Sequence, residues 1–123
     1  MYLWIVFLCL WGFLYSSYSP NDNILKARTI GVISLIAVGF LSFLLLTSNP
    51  FETILPIAPM DGADINPVLQ DPALAIHPPM LYLGYVGFVI AFANALSFLI
   101  NGDNSIRWEE SVRIWSISAW VFL

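Results

Sequence analysis

The chain has 123 residues, of which 59% are hydrophobic and 10% charged, with a net charge of −4 and a mean hydropathy of +0.83. Soluble domains run near half apolar and a quarter charged, so this composition cannot cover a water-facing surface, and a bilayer is the simplest solvent for it. It gives no footprint for nucleic acid, which needs a basic patch. The single cysteine, Cys9, excludes an internal disulfide and a paired-thiol site, and reads as a small apolar filler within its run.

Residues 1–18 form an apolar run that closes on YSSYS. No Lys or Arg precedes it, so the charged start of a signal peptide is missing, and a membrane helix is predicted. Residues 29–49 form a second run that reaches about 30 Å at helical rise, the thickness of the hydrocarbon core. Residues 79–100 form a third. Residues 113–123 read as the first half of a fourth, about 16 Å long, so the sequence is expected to stop inside the membrane, with the remainder missing or supplied by another chain. Long continuous runs indicate helices, because a barrel would show ten-residue alternating segments. The predicted fold is all-α: one polytopic membrane domain of three transmembrane helices plus the start of a fourth.

The connections set the orientation. Lys26 and Arg28 lie in 19–28, and Arg107 and Arg113 in 101–113, whereas 50–78 holds Glu52, Asp61, Asp64 and Asp71 and no basic residue. Lys and Arg mark the inner side, so 50–78 is expected on the outer face, toward a periplasm or intermembrane space. That stretch holds six of the eight prolines, which speaks against a regular helix or central strand. Ile54, Leu55, Ile57, Ile65, Val68, Leu69, Leu74 and Ile76 supply enough apolar surface for an ordered loop.

The only histidine, His77, precedes Pro78 and Pro79. Proline suits a first helical turn, so His77 is expected at the outer mouth of the third helix. There an imidazole can bond a loop carbonyl as an interface or capping group, or present a nitrogen to a metal; spacing alone favours the former. Asn94, at membrane depth, is expected to bond across helices. Gly84, Gly87, Ala91 and Ala95 form a small-residue seam. Tyr82 and Tyr85 suit an interfacial belt, and Trp108 an inner anchor. Asp61, Asp64 and Asp71 lack the glycine and final glutamate of a calcium loop; Asp61-Gly62 and Asp71-Pro72 read as turns.

The strings SNPF (48–51), DGADINPVLQDP (61–72) and HPPMLYLGYVGF (77–88) resemble the corresponding stretch of CcmF-type haem lyases of cytochrome c maturation, with looser agreement in RIWSISAWVFL (113–123). The resemblance covers residues 28–123, and 1–27 in pattern only. It implies a polytopic helical protein that takes haem from a haem chaperone and helps attach its vinyl groups to the cysteines of apocytochrome c. It implies that His77 is an axial ligand to the iron of a b-type substrate haem, and it assigns no catalytic residue; beside such a haem Tyr82 and Tyr85 are candidate propionate contacts against the favoured belt role, and Trp120 a candidate contact against plain packing. The family's WWD segment and its other haem-binding histidines are not in this sequence, nor is a C-x-x-C-H attachment string. Haem is therefore expected only in a complete assembly, with another chain carrying the WWD segment. Met1 fits a split gene or a fragment, which leans toward the mitochondrial inner membrane, with the bacterial cytoplasmic membrane as the alternative. The competing expectations are a scaffold subunit without haem chemistry, for which His77 is dispensable, and a haem-transport module.

Overall fold

The computed structural model describes residues 2–19, 23–53, 61, 64–102 and 108–123. The expectations placed on Ile54, Leu55, Ile57, Gly62 and Arg107 lie outside the described residues. Four helices follow one another: α1 (Tyr2–Tyr18), α2 (Asn23–Thr47), α3 (Pro72–Asn101) and α4 (Trp108–Trp120), with a short 3-10 turn at Pro67–Gln70. No strand occurs among the described residues, as the all-α reading requires.

The helix ends differ from the sequence reading, each for a local reason. α2 starts at Asn23 and ends at Thr47 rather than spanning 29–49, so Lys26 and Arg28 lie on the helix and not in a connection. α3 starts at Pro72 rather than 79 and absorbs residues read as loop. Its start is set by Asp71, whose carboxylate accepts from the backbone N–H groups of Ala73 (2.8 Å) and Leu74 (3.4 Å). Pro72 has no N–H to satisfy at the first position. Pro78 and Pro79 then withhold donors from the carbonyls of Leu74 and Ala75. That loss is tolerable because Pro72 to His77 are all exposed, where water can serve those carbonyls. α4 begins at Trp108 rather than 113, with Glu109 and Glu110 in its first turn favouring the positive end of the helix dipole. It closes in tight turns, Phe122 N–H to Ala119 O (3.2 Å) and Leu123 N–H to Trp120 O (3.0 Å).

α3 is the central helix and packs against each of the other three. Half of its most apolar window is buried, against 17% for α2, which keeps most of its surface outward. α1 and α2 run antiparallel: Trp4 meets Phe40 at one end (ring centroids 5.6 Å), and the Tyr15 hydroxyl bonds Thr29 Oγ1 (3.3 Å) toward the other. α3 and α4 pair antiparallel through glycine. A Cβ at Gly84 would lie 2.8 Å from Leu123, and one at Gly87 2.7 Å from the Ala119 Cβ and 2.9 Å from the Trp11 ring. Small residues let helix backbones approach in lipid, so the expected seam exists at Gly84, Gly87 and Ala91, all buried, while Ala95 is half-buried.

The backbones of α1 and α4 stay apart, and aromatic rings span the gap. Trp115 stands edge-on to Trp11 (6.2 Å) and tilted on Tyr15 (5.4 Å), and Phe122 closes the other side of Trp11 (6.2 Å). The Trp11 indole N–H donates to the Leu83 carbonyl (2.9 Å), which pins α1 to α3. These rings and Leu8, Ile33, Val86, Ile90 and Ala93 form the core. At the far end Lys26 donates to the Ser16 carbonyl (3.1 Å) and Arg28 to the Asn101 side-chain oxygen. Each cation thus lies at the C-terminal end of a neighbouring helix, where the dipole favours positive charge.

Candidate functional site around His77

The second turn of α3 carries His77, fully within the helix and exposed. It is not at the mouth of the helix, where the sequence reading put it. The helix has 30 residues, about 45 Å at 1.5 Å per residue, against about 30 Å of hydrocarbon. A helix that entered hydrocarbon at Asn101 would leave it near Leu81, which would put His77 about 6 Å beyond the apolar layer.

That height is held from both sides of the chain. Below, Pro78 and Pro79 are half-buried at the top of the bundle. Above, the Asn66 side chain accepts from the Val68 N–H (3.0 Å) and starts the 3-10 turn, Gln70 donates to the Ile65 carbonyl (3.1 Å), and Asp71 caps α3. One hydrogen-bonded unit from Ile65 to Leu74 therefore feeds directly into the helix. No hydrogen bond or ion pair among the described residues holds the His77 ring, so it does not act as a cap. Both ring nitrogens are available to a ligand, and a neutral imidazole can bind iron through one of them.

The other candidate haem contacts do not converge on it. Tyr82 is half-buried on the α1 side, tilted against Trp4 at 5.4 Å. Tyr85 is exposed, eight positions along α3 and so about 12 Å from His77 along the axis. Trp120 is exposed near the end of α4, level with the part of α3 below Gly84. They share the half of the bundle where α3 begins and no common pocket with His77. A cleft of about 370 Å³ does open elsewhere, between α1 and α4, lined by Trp11, Leu14, Tyr18, Ser111, Ile114, Trp115 and Ser118.

Asn94 meets its expectation. It is fully buried, and its amide nitrogen donates to Ser111 Oγ across α3 and α4 (2.6 Å), while its carbonyl oxygen has no partner. Trp108 stacks on Phe98 at 5.4 Å. Asp71 proves to be a helix cap rather than only a turn starter. Cys9 is exposed along the α1–α2 groove and fills no core. Sequence reasoning passed over Trp11 and Ser111. Trp11 had a signal, a tryptophan deep in a span where interfacial tryptophans are the rule; Ser111 had none in one sequence.

A bundle of apolar helices about one central helix, two of them long and apolar enough to cross a bilayer, points to a membrane protein. The chain belongs to the cytochrome C assembly protein family, whose model matches residues 1–123. It is 48% identical to the cytochrome c-type biogenesis protein CcmF of Pseudomonas aeruginosa over 122 residues, and 44% identical to CcmF of Escherichia coli over 124; each match covers 98% of this chain. The cytochrome c-type biogenesis protein CycK of Rhizobium meliloti is 47% identical over the whole chain. The chain spans 18–19% of the length of these curated relatives. No solved structure matches it.

Proposed function

We propose that this chain is a part of a cytochrome c haem lyase, and that it holds substrate haem at the outer membrane face while the haem is attached to apocytochrome c. The observation that carries the reading is His77: an exposed imidazole with no hydrogen-bond partner among the described residues, in the second turn of a helix capped by Asp71. As an axial ligand His77 would hold the porphyrin still and leave its vinyl edges open to two thiols. One imidazole supplies one ligand, and the sequence has no second histidine. Haem is therefore held by the complete assembly, in which a haem chaperone delivers it and a WWD segment outside this sequence forms the platform.

In this reading three helices cross the membrane and α4 starts a fourth, with residues 50–78 outward because the basic residues lie at the other end. The bilayer is the mitochondrial inner membrane or the bacterial cytoplasmic membrane, and the bacterial relatives favour the second. One observation favours a scaffold instead: Tyr82, Tyr85 and Trp120 do not gather about His77.

The test is a haem spectrum of the assembly purified in mild detergent, wild type against His77→Ala. Loss or displacement of the Soret band supports the ligand. Unchanged haem content and spectrum would leave the scaffold reading in its place.

A further inference from the structure

Contacts fix the register of α3 against α4 along the whole length of α4. Trp108 stacks on Phe98, Ser111 accepts from Asn94, Ala119 meets Gly87 and Leu123 meets Gly84. The helices run antiparallel, so a step forward on α4 is a step back on α3, and Arg113 stands level with Ala93. That level is eight positions, about 12 Å, from Asn101 along the axis. Nearer Asn101 than this, Leu99 is 75% exposed and Ile100 62%. Large apolar side chains bared on the last turn of a membrane helix belong in hydrocarbon, so the apolar layer extends past the level of Arg113.

α4 buries Ser111, Trp115 and Ala119. On its opposite side Glu109, Arg113, Ile117 and Trp120, spaced four, four and three apart, form one exposed stripe. Lys26 and Arg28 have hydrogen-bond partners, whereas Arg113 has none among the described residues. Glu109 lies four positions before it, but no ion pair joins the two, and in the first turn the helix dipole already favours Glu109. Ionised side chains at membrane depth face protein or a water-filled cavity, and they pair. Arg113 faces away from its own bundle, so its partner lies outside it.

We infer that this stripe of α4 docks a further membrane helix, one that brings a carboxylate to the level of Arg113. The inference goes beyond the proposed function and rests on its placement of α3 and α4 in the bilayer. Depth and charge select the occupant. Lipid phosphates lie past Ile100, farther than the Arg113 side chain extends. A second copy, related by a two-fold axis along the membrane normal, would set Arg113 against its own counterpart. α1 and α2 of this chain pack on α3 and not on α4. A helix from outside the bundle fits what remains: Ile117 and Trp120 meet its apolar side chains, and a carboxylate accepts two parallel hydrogen bonds from the guanidinium.

The test uses the full chain in its assembly, purified in mild detergent and returned to nanodiscs of phosphatidylcholine. Spin labels are placed singly at Leu99→Cys and Ile117→Cys in a Cys9→Ser background. Their collisions with oxygen, which concentrates in lipid, and with a water-soluble nickel chelate are measured. Leu99 is expected to be open to oxygen, and Ile117 to be several-fold less open to oxygen and closed to nickel. Ile117 as open to oxygen as Leu99 makes the stripe a lipid contact, and Ile117 open to nickel makes it the wall of a water-filled space; either overturns the docking face alone. Leu99 open to nickel overturns the bilayer placement, and the inference with it. The charge is read from the Ile117 label. Arg113→Lys should leave it shielded, Arg113→Leu should raise its oxygen collisions part of the way to the Leu99 value, and Arg113→Glu should raise them to that value while the Leu99 label is unmoved. Equal shielding in the lysine, leucine and glutamate variants overturns the carboxylate partner.

Discussion

Gly87 sets how closely three helices meet. With the Ala119 Cβ on one side and the Trp11 ring on the other, even a methyl group has no space. Gly87→Ala should cost about 1–3 kcal/mol through overpacking, seen as an earlier unfolding midpoint in a detergent titration followed by tryptophan fluorescence. The Asn94–Ser111 pair makes a subtler case. Ser111→Ala removes the amide's partner and leaves a second buried polar atom of Asn94 unsatisfied, whereas Asn94→Leu removes both at once with little change of volume. Ser111→Ala is therefore expected to be the more destabilising of the two, and Asn94→Leu close to neutral. A double-mutant cycle should return a coupling of about 0.6 kcal/mol, typical of hydrogen bonds between membrane helices. That Asn94 would bond across helices was legible in its chemistry and depth. Its partner was not, because one sequence does not say which residues of two helices face each other.

Helix existence was legible from hydropathy, and helix ends were not. Hydropathy reports where lipid can be, so it began α3 at the first long apolar run. The backbone instead answers to its own donors, and the helix starts where Asp71 can cap it and Pro72 has no N–H to lose. The same mismatch hid Lys26 and Arg28 within α2, whose first turns are helical because they lie over the C-terminal ends of α1 and α3. The cap makes a prediction about the histidine. Asp71→Ala should cost about 1 kcal/mol of helix stability, and the loss should fall on the exposed turns that carry His77. Hydrogen exchange at Ala73 and Leu74 should quicken while the buried stretch around Ile90 keeps its protection. Equal loosening at both places would mean that the cap supports the whole helix and not its outer turns.

At the scale of the molecule, the candidate site is a single residue on a projecting helix, and the bundle below is the device that aims it. The sequence showed the residue through the HPP string and its likeness to a family, while the projection came from α3 being 30 residues long, which its prolines had concealed. Trp11 and Trp115 bridge α1 and α4 across α3, so the bundle resists tilting as a unit even though α2 contributes little buried surface. The projection makes His77 a depth gauge. In the proposed orientation its height above the lipid is the difference between a fixed helix length and a bilayer thickness that varies by a few ångströms among membranes. Lengthening the acyl chains by about four carbons per leaflet should bring the outer lipid surface to the level of the imidazole. Modification of His77 by a water-soluble reagent such as diethyl pyrocarbonate should then slow sharply in thick bilayers and proceed freely in thin ones. If His77 holds haem as proposed, haem offered from water would meet the same submerged ring, and uptake would fall as the bilayer thickens.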